Sequence, residues 1–156
     1  MTQKEAFLKM CSFCAYQERT QQEVRDKLYA LGGLSSDSIE EIIGMLITEN
    51  FLNEERFAKI YAGSKFRVKQ WGRIKIQKAL EARGLSPYCV RLGLAEIDPE
   101  DYYQTLYDLA QKKWTSLDGE PPAQRKQKTW RFLAQKGYEN THIWEIIGEI
   151  AAQAAN

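Results

Sequence analysis

Three segments, Leu28-x-x-x-Gly32, Leu80-x-x-x-Gly84 and Leu133-x-x-x-Gly137, recur at intervals of 52 and 53 residues, and no other feature limits the fold as strongly. Each leucine lies on an apolar helical stripe. Each glycine then stands where a helix ends in left-handed backbone, a conformation that carries no Cβ penalty for glycine. A short turn follows each glycine, and then an inward apolar residue: Ile39, Val90 and Ile143. This threefold return predicts three tandem units, each with a longer helix, a helix ending in glycine and a short apolar helix. One such unit cannot bury its own core, so neighbours must stack. The expected fold is all-α, an elongated array of three tandem three-helix repeats with nine helices. Residues 1–156 form a single such chain, with repeat one at about 1–52, repeat two at about 53–97 and repeat three at about 98–156.

Local signals fill in the helices. Thr20-Gln21-Gln22-Glu23 has the form of a capping box, and Val24, Leu28 and Leu31 follow on one helical face. Asp37 is expected to cap the next helix, with Ile39, Ile42, Ile43, Leu46 and Ile47 as its buried stripe. Asn53 can cap a helix presenting Phe57, Ile60, Tyr61, Ser64 and Val68 inward. Gly72 interrupts the pattern, and Ile76, Ala79 and Leu80 point inward from a further helix. Ser86-Pro87 and Asp98-Pro99 pair a capping side chain with a first-turn proline. The second of these opens a helix burying Tyr102 or Tyr103 with Leu106, Leu109 and Ala110. Asp118–Pro122 is a loop, and the last two helices are expected at about 122–136 and 141–153. No segment alternates as a strand would.

Charge is distributed unevenly over these units. Residues 1–52 carry net −3, residues 53–97 net +6 and residues 98–156 net −2, in a chain of net +1. The excess gathers in "KFRVKQWGRIKIQKALEARGL", residues 65–85, where Lys65, Arg67, Lys69, Arg73, Lys75, Lys78 and Arg83 face a single acid, Glu81. A basic middle between acidic ends points to a polyanion or an acidic protein surface as partner. Trp71 within it could stack on a base. Lys126, Lys128 and Arg131, with Lys136, form a weaker auxiliary group. Trp114, Trp130 and Trp144 fall at helical spacing near apolar residues and read as packing.

Catalytic and metal chemistry find little support. The one histidine, His142, has no nucleophile partner that the sequence can assign, and there is no P-loop, no GxGxxG and no metal-ligand spacing. Cys11 and Cys14 form a C-x-x-C, but inside a helical pattern with no second ligand pair. Neither cofactor nor metal is expected, and the chain reads as a non-enzyme. An odd count of three cysteines and an N-terminus without an apolar export core suit a reducing cytoplasm. No apolar run reaches the length of a membrane span.

Three stretches then meet one family in order. Arg19-Thr20-x-x-Glu23-Val24-x-x-Lys27-Leu28 resembles the opening signature of the RecX family. Phe51-Leu52-Asn53-Glu54-Glu55-Arg56-Phe57-Ala58, with Trp71-Gly72-Arg73-x-x-Ile76-x-x-x-Leu80-Glu81-Ala82-Arg83-Gly84-Leu85, is similar to its central signature. Arg131-Phe132-Leu133-Ala134-Gln135-Lys136-Gly137-Tyr138 is similar to that of its third repeat. The likeness spans roughly residues 10–150. Departures include Leu31-Gly32-Gly33, where many members place a basic residue before glycine, and Arg73 where proline is common.

The resemblance implies a modulator of RecA, the recombinase that polymerises on single-stranded DNA. Members bind within the groove of the filament and restrain its ATPase, strand-exchange and coprotease activities. The partners implied are the RecA filament and single-stranded DNA, with double-stranded DNA as an alternative, no membrane, and a monomeric chain. Two rival readings stay open: a helical DNA-binding protein acting without RecA, and an adaptor that contacts protein alone.

Overall fold

The structure, a computed structural model, describes residues 1–155. Among these residues there are nine α-helices and no strand. In chain order they are α1 Gln3–Tyr16, α2 Gln21–Leu31, α3 Ser36–Thr48, α4 Glu54–Lys69, α5 Arg73–Ala82, α6 Pro87–Ala95, α7 Pro99–Ser116, α8 Pro122–Gln135 and α9 Asn140–Ala154.

Most helix starts follow from side-chain caps. Thr20 Oγ1 accepts from the Glu23 amide at 3.1 Å, and Asn53 Oδ1 accepts from the Arg56 amide at 2.9 Å. Ser86 and Asp98 cap α6 and α7 in the same way. At α3 the cap is Ser35, whose hydroxyl accepts from the Ser38 amide at 3.1 Å, and not Asp37, which lies in the first turn. The helix thus begins earlier than the Asp37 reading required, and the acid still favours the N-terminal end electrostatically. Thr2 with Glu5 completes a capping box on α1.

The repeated leucines and glycines sit as their pattern demands. Leu28, Leu80 and Leu133 are fully buried, as are Ile39 and Ile143, with Val90 nearly so. Gly32, Gly84 and Gly137 adopt φ of +74°, +81° and +98°. These are the left-handed values that favour glycine.

Two buried stripes differ from expectation. In α3, Ile39, Ile42, Ile43 and Leu46 are buried but Ile47 is exposed. The chain folds back there: the Phe51 and Leu52 amides both donate to the Leu46 carbonyl, and Leu52 enters the core instead. In α4 the inner face is Phe57, Ala58, Ala62 and Phe66, while Ile60 and Val68 are exposed, Val68 by 74%. At Ala58 the small residue wins because the neighbouring helix comes close. A Cβ on Gly93 of α6 would lie 2.7 Å from the Ala58 carbonyl oxygen.

The described chain divides into two compact units, Met1–Tyr61 with Leu80–Gly93, and Ala62–Ala79 with the chain from Leu94 onward. The first holds a core of Ala6, Met10, Cys14, Val24, Leu28, Ile39, Ile42, Ile43, Leu46 and Leu52, under the pairs α1–α3 and α2–α3. Arg56 braces it, pairing with Glu18 at 2.7 Å and donating to the Asn50 carbonyl at 3.2 Å. The second unit packs α7, α8 and α9 on one another around Leu106, Ala110, Leu133, Ile143, Ile146 and Ile150. Tyr102 and Tyr138, with ring centroids 5.2 Å apart, lie at its end nearest the turn after α4. No helix of the described residues is long and apolar enough to cross a membrane.

Candidate functional site

The turn between α4 and α5 is where charge and fold meet. Gln70 takes a left-handed φ of +57°, and the Trp71 amide donates back to the Lys65 carbonyl at 3.2 Å. The turn is then pinned by main chain. The Gly72 amide donates to the Lys136 carbonyl at 2.8 Å, and the Ile74 amide to the Gly137 carbonyl at 2.9 Å. A Cβ on Gly72 would fall on the Gly137 carbonyl and 2.5 Å from the Tyr138 nitrogen. Glycine is therefore required by close approach of two backbones.

Side chains tighten the same joint. The Tyr138 hydroxyl donates to the Gln70 carbonyl at 2.9 Å. The Tyr102 hydroxyl accepts from the Arg73 amide at 2.9 Å and donates to Glu139. Burial first, and the Glu139 carboxylate second, push the Tyr102 hydroxyl far above its usual range, so it stays protonated as this donor role needs. Arg73 lies 3.9 Å over the Tyr102 ring and pairs with Glu139 at 3.1 Å.

The seven cations of the basic stretch therefore divide. Arg67, Lys69, Lys75 and Lys78 are exposed in the second unit. Lys65 and Lys75 bring their ammonium groups 5.0 and 4.6 Å from the centre of the half-buried Trp71 ring. Arg73 is half-buried, with its charge met by Glu139. Arg83 belongs to the other compact unit, exposed, with its guanidinium 4.8 Å over Tyr61. Of the stretch, then, Lys65 and Lys75 flank Trp71, Arg67, Lys69 and Lys78 are exposed on α4 and α5 of the same unit, Arg73 is structural and Arg83 is separate.

Among the auxiliary residues, Lys126 and Arg131 are exposed on α8 and Lys128 pairs with Glu120 at 2.8 Å. Lys136, also of that group, reaches the Lys69 carbonyl at 3.4 Å and so stands at the α4–α5 turn. Trp114 is buried under Arg125, as packing requires. Trp130 and Trp144 do pack, stacked on each other at 6.2 Å, but Trp144 remains 41% exposed. The supports Tyr102, Tyr138 and Glu139 were not legible as such. The only hint is that Tyr138-Glu139 follows the third repeated glycine as Arg73 follows Gly72.

His142 lies edge-on to Tyr103 with Nδ1 4.0 Å from Glu145. Among the described residues no three histidine, cysteine or acidic side chains gather as a metal site would require. Cys14 is buried and its thiol is pushed up to about 11, chiefly by that burial. Such a thiol stays protonated and is a weak nucleophile at neutral pH.

Comparison with known proteins supplies the context for this geometry. Two family models match, RecX second three-helix domain over residues 53–94 and RecX third three-helix domain over residues 100–147, together more than half of the chain. A regulatory protein RecX of Clostridium perfringens strain 13 is 39% identical over 123 residues, covering 78% of this chain and 57% of that protein. One of Clostridium botulinum strain Eklund 17B is 34% identical over 140 residues, covering 88% and 63%. The chain thus spans less than two-thirds of the length of these relatives. The crystal structure of RecX from Lactobacillus salivarius superposes with a TM-score of 0.88 at 24% identity, over 96% of this chain and 97% of that one. At that identity the likeness speaks for the fold.

Proposed function

The chain belongs to the RecX family, and on that premise we propose that it binds RecA filaments on single-stranded DNA and damps their ATPase, strand-exchange and coprotease activities. The observation that carries the reading is the α4–α5 turn. The half-buried Lys65 and the exposed Lys75 flank a tryptophan whose backbone is anchored by a joint of main-chain hydrogen bonds, and Arg67, Lys69 and Lys78 are exposed on the helices either side of the turn. Phosphates or acidic groove residues are met by Arg67, Lys69, Lys75 and Lys78, with Lys65, Trp71 and Lys136 beside them and Arg83 as a separate contact. Arg73 acts by holding the turn in place. Lys126 and Arg131 are auxiliary, and Lys128 contributes less because Glu120 holds it. The chain works as a single three-repeat regulator without chemistry of its own, monomeric and in the cytoplasm, serving DNA repair and recombination.

The test is RecA ATPase on single-stranded DNA, titrated with the protein and with a Lys75→Ala, Lys78→Ala, Arg83→Ala variant. These exposed changes each alter stability by about 0.5 kcal/mol or less. The wild type should suppress turnover near stoichiometry, and the variant should need several-fold more protein. If the wild type has no effect at stoichiometric amounts, the RecA reading fails. If the variant is as potent as the wild type, the assignment of these cations fails. The exposed Lys75–Lys78 edge of α5 also suits entry into a duplex groove. Tight, sequence-selective duplex binding without RecA would favour that second reading.

A further inference from the structure

The first compact unit leaves an apolar groove uncovered on the side of α1 and α3. It encloses about 760 Å³, a volume ordinary for a binding cleft. Phe7, Leu8, Met45 and Phe51 form its walls, and Leu8 and Met45 are 55% and 41% exposed. Gly44 leaves its floor open, since a Cβ there would meet nothing within 4 Å. Cys11 completes the wall, and its thiol is pushed upward by burial and then by Glu49, so it stays neutral and behaves as an apolar surface. Scattered exposed apolar residues need no explanation, but a contiguous concave set does.

Charge then selects the occupant. The two ionisable residues at the groove besides Cys11 are Glu41 and Glu49, and no lysine or arginine lines it. Glu41 accepts one neutral hydrogen bond, from the Gln3 side-chain amide at 3.0 Å. Neither carboxylate forms an ion pair among the described residues. Two uncompensated acids repel phosphate, which argues against a nucleic acid or an anionic membrane at this face. A trough between helices, walled by pliable Met, Leu and Phe, suits an apolar helix face with anchors at i, i+3, i+4 and i+7.

We propose that the α1–α3 groove is a docking site for an amphipathic helix of a partner protein that carries lysine or arginine beside its apolar face. The partner's leucine-like anchors fill the space over Gly44, and its cations meet Glu41 and Glu49. The inference concerns a protein contact separate from the cationic turn, and it requires neither RecA nor DNA.

The test therefore omits both. The protein has three methionines, Met1, Met10 and Met45, so methyl-labelled methionine gives few signals. Met45 reports on the groove, and Met10, buried in the core of the same unit, reports on integrity. The probes are a synthetic helical peptide with a leucine face and lysine flanks, its glutamate-flanked counterpart, and a scrambled lysine peptide. The lysine-flanked helix should shift Met45 saturably, and the other two should bind about ten-fold more weakly or worse. Leu8→Glu should weaken binding about ten-fold, whereas Val68→Glu, exposed elsewhere, should leave it unchanged. A Glu41→Lys, Glu49→Lys variant should reverse the preference and favour the glutamate-flanked peptide. No saturable shift, an equal response to the scrambled or glutamate-flanked peptide, or no reversal in the charge-swapped variant would overturn the proposal. Because RecA is absent throughout, each such failure leaves the RecA reading standing.

Discussion

Replacing Gly72 with alanine inserts one methyl group into a contact between two backbones. The new Cβ would overlap the Gly137 carbonyl and stand 2.5 Å from the Tyr138 nitrogen. Backbone atoms cannot rotate away as a flexible side chain would, so the turn must withdraw. Withdrawal lengthens the Gly72–Lys136 and Ile74–Gly137 hydrogen bonds, now 2.8 and 2.9 Å. Overpacking costs about 1–3 kcal/mol and each weakened bond up to about 1 kcal/mol, giving about 3 kcal/mol in total. For a chain of this length that is a fall in Tm of about 6–12 °C. Circular dichroism melts give the shift, and hydrogen exchange should show the Gly72 and Ile74 amides losing protection. Gly148→Ala is the counterpart: this glycine lies in α9 with nothing within 4 Å of its Cβ position. It should gain about 0.5–1 kcal/mol and melt higher. If Gly72→Ala melts within about 2 °C of the wild type with both amides still protected, the claim that glycine is required by close approach is wrong.

Four further outcomes follow from the same structure. Tyr102→Phe strips the Arg73 amide of its acceptor and Glu139 of a donor, and should cost about 1–3 kcal/mol in urea unfolding. Arg56→Ala removes the contacts to Glu18 and to the Asn50 carbonyl, and should cost about 1–2 kcal/mol, reduced by partial exposure. In direct binding to single-stranded DNA, the triple alanine variant should lower the slope of log affinity against log salt by about 2, at about 0.7 for each phosphate no longer neutralised. The Cys14 thiol rises from 9.0 to about 11 on folding. Because the folded value is raised, the protonated thiol's contribution is complete below pH 9 and is lost as pH rises towards 11. Stability should fall across that window, and Cys14→Ala should flatten that part of the profile.

The sequence reveals where helices begin and end more readily than which way they face. Caps such as Thr20, Asn53, Ser86 and Asp98 act within one turn, and so do the three repeated glycines, so local pattern suffices for them. The inner face of α4 depends on what lies opposite. Ile60 and Val68 are better hydrophobes than Ala58 and Ala62, yet the alanines are buried. At Ala58 the close approach of α6 at Gly93 rewards small size over apolar area. Ile47 fails for a related reason, since Leu52 returns from beyond the helix to fill the core.

The candidate site is legible in its charge and not in its supports. Seven cations in one stretch stand out by counting. That Arg73 is held by Glu139, 66 residues away, depends on a long-range pairing no local pattern encodes. Trp130 and Trp144 show the same limit: their spacing signals contact, and their stack confirms it, but exposure of Trp144 depends on what the fold leaves uncovered.

The joint between the turns at Gly72 and Gly137 has a consequence for divergence. It is written mainly in peptide groups, which every residue except proline supplies alike. Substitutions among the exposed Arg67, Lys69, Lys75 and Lys78 can therefore re-tune what the turn grips while the two turns keep their mutual spacing. A change of partner preference and a change of architecture are thus separable mutational events here. A side chain added at either glycine, or loss of the Arg73, Tyr102 or Glu139 contacts, would couple them.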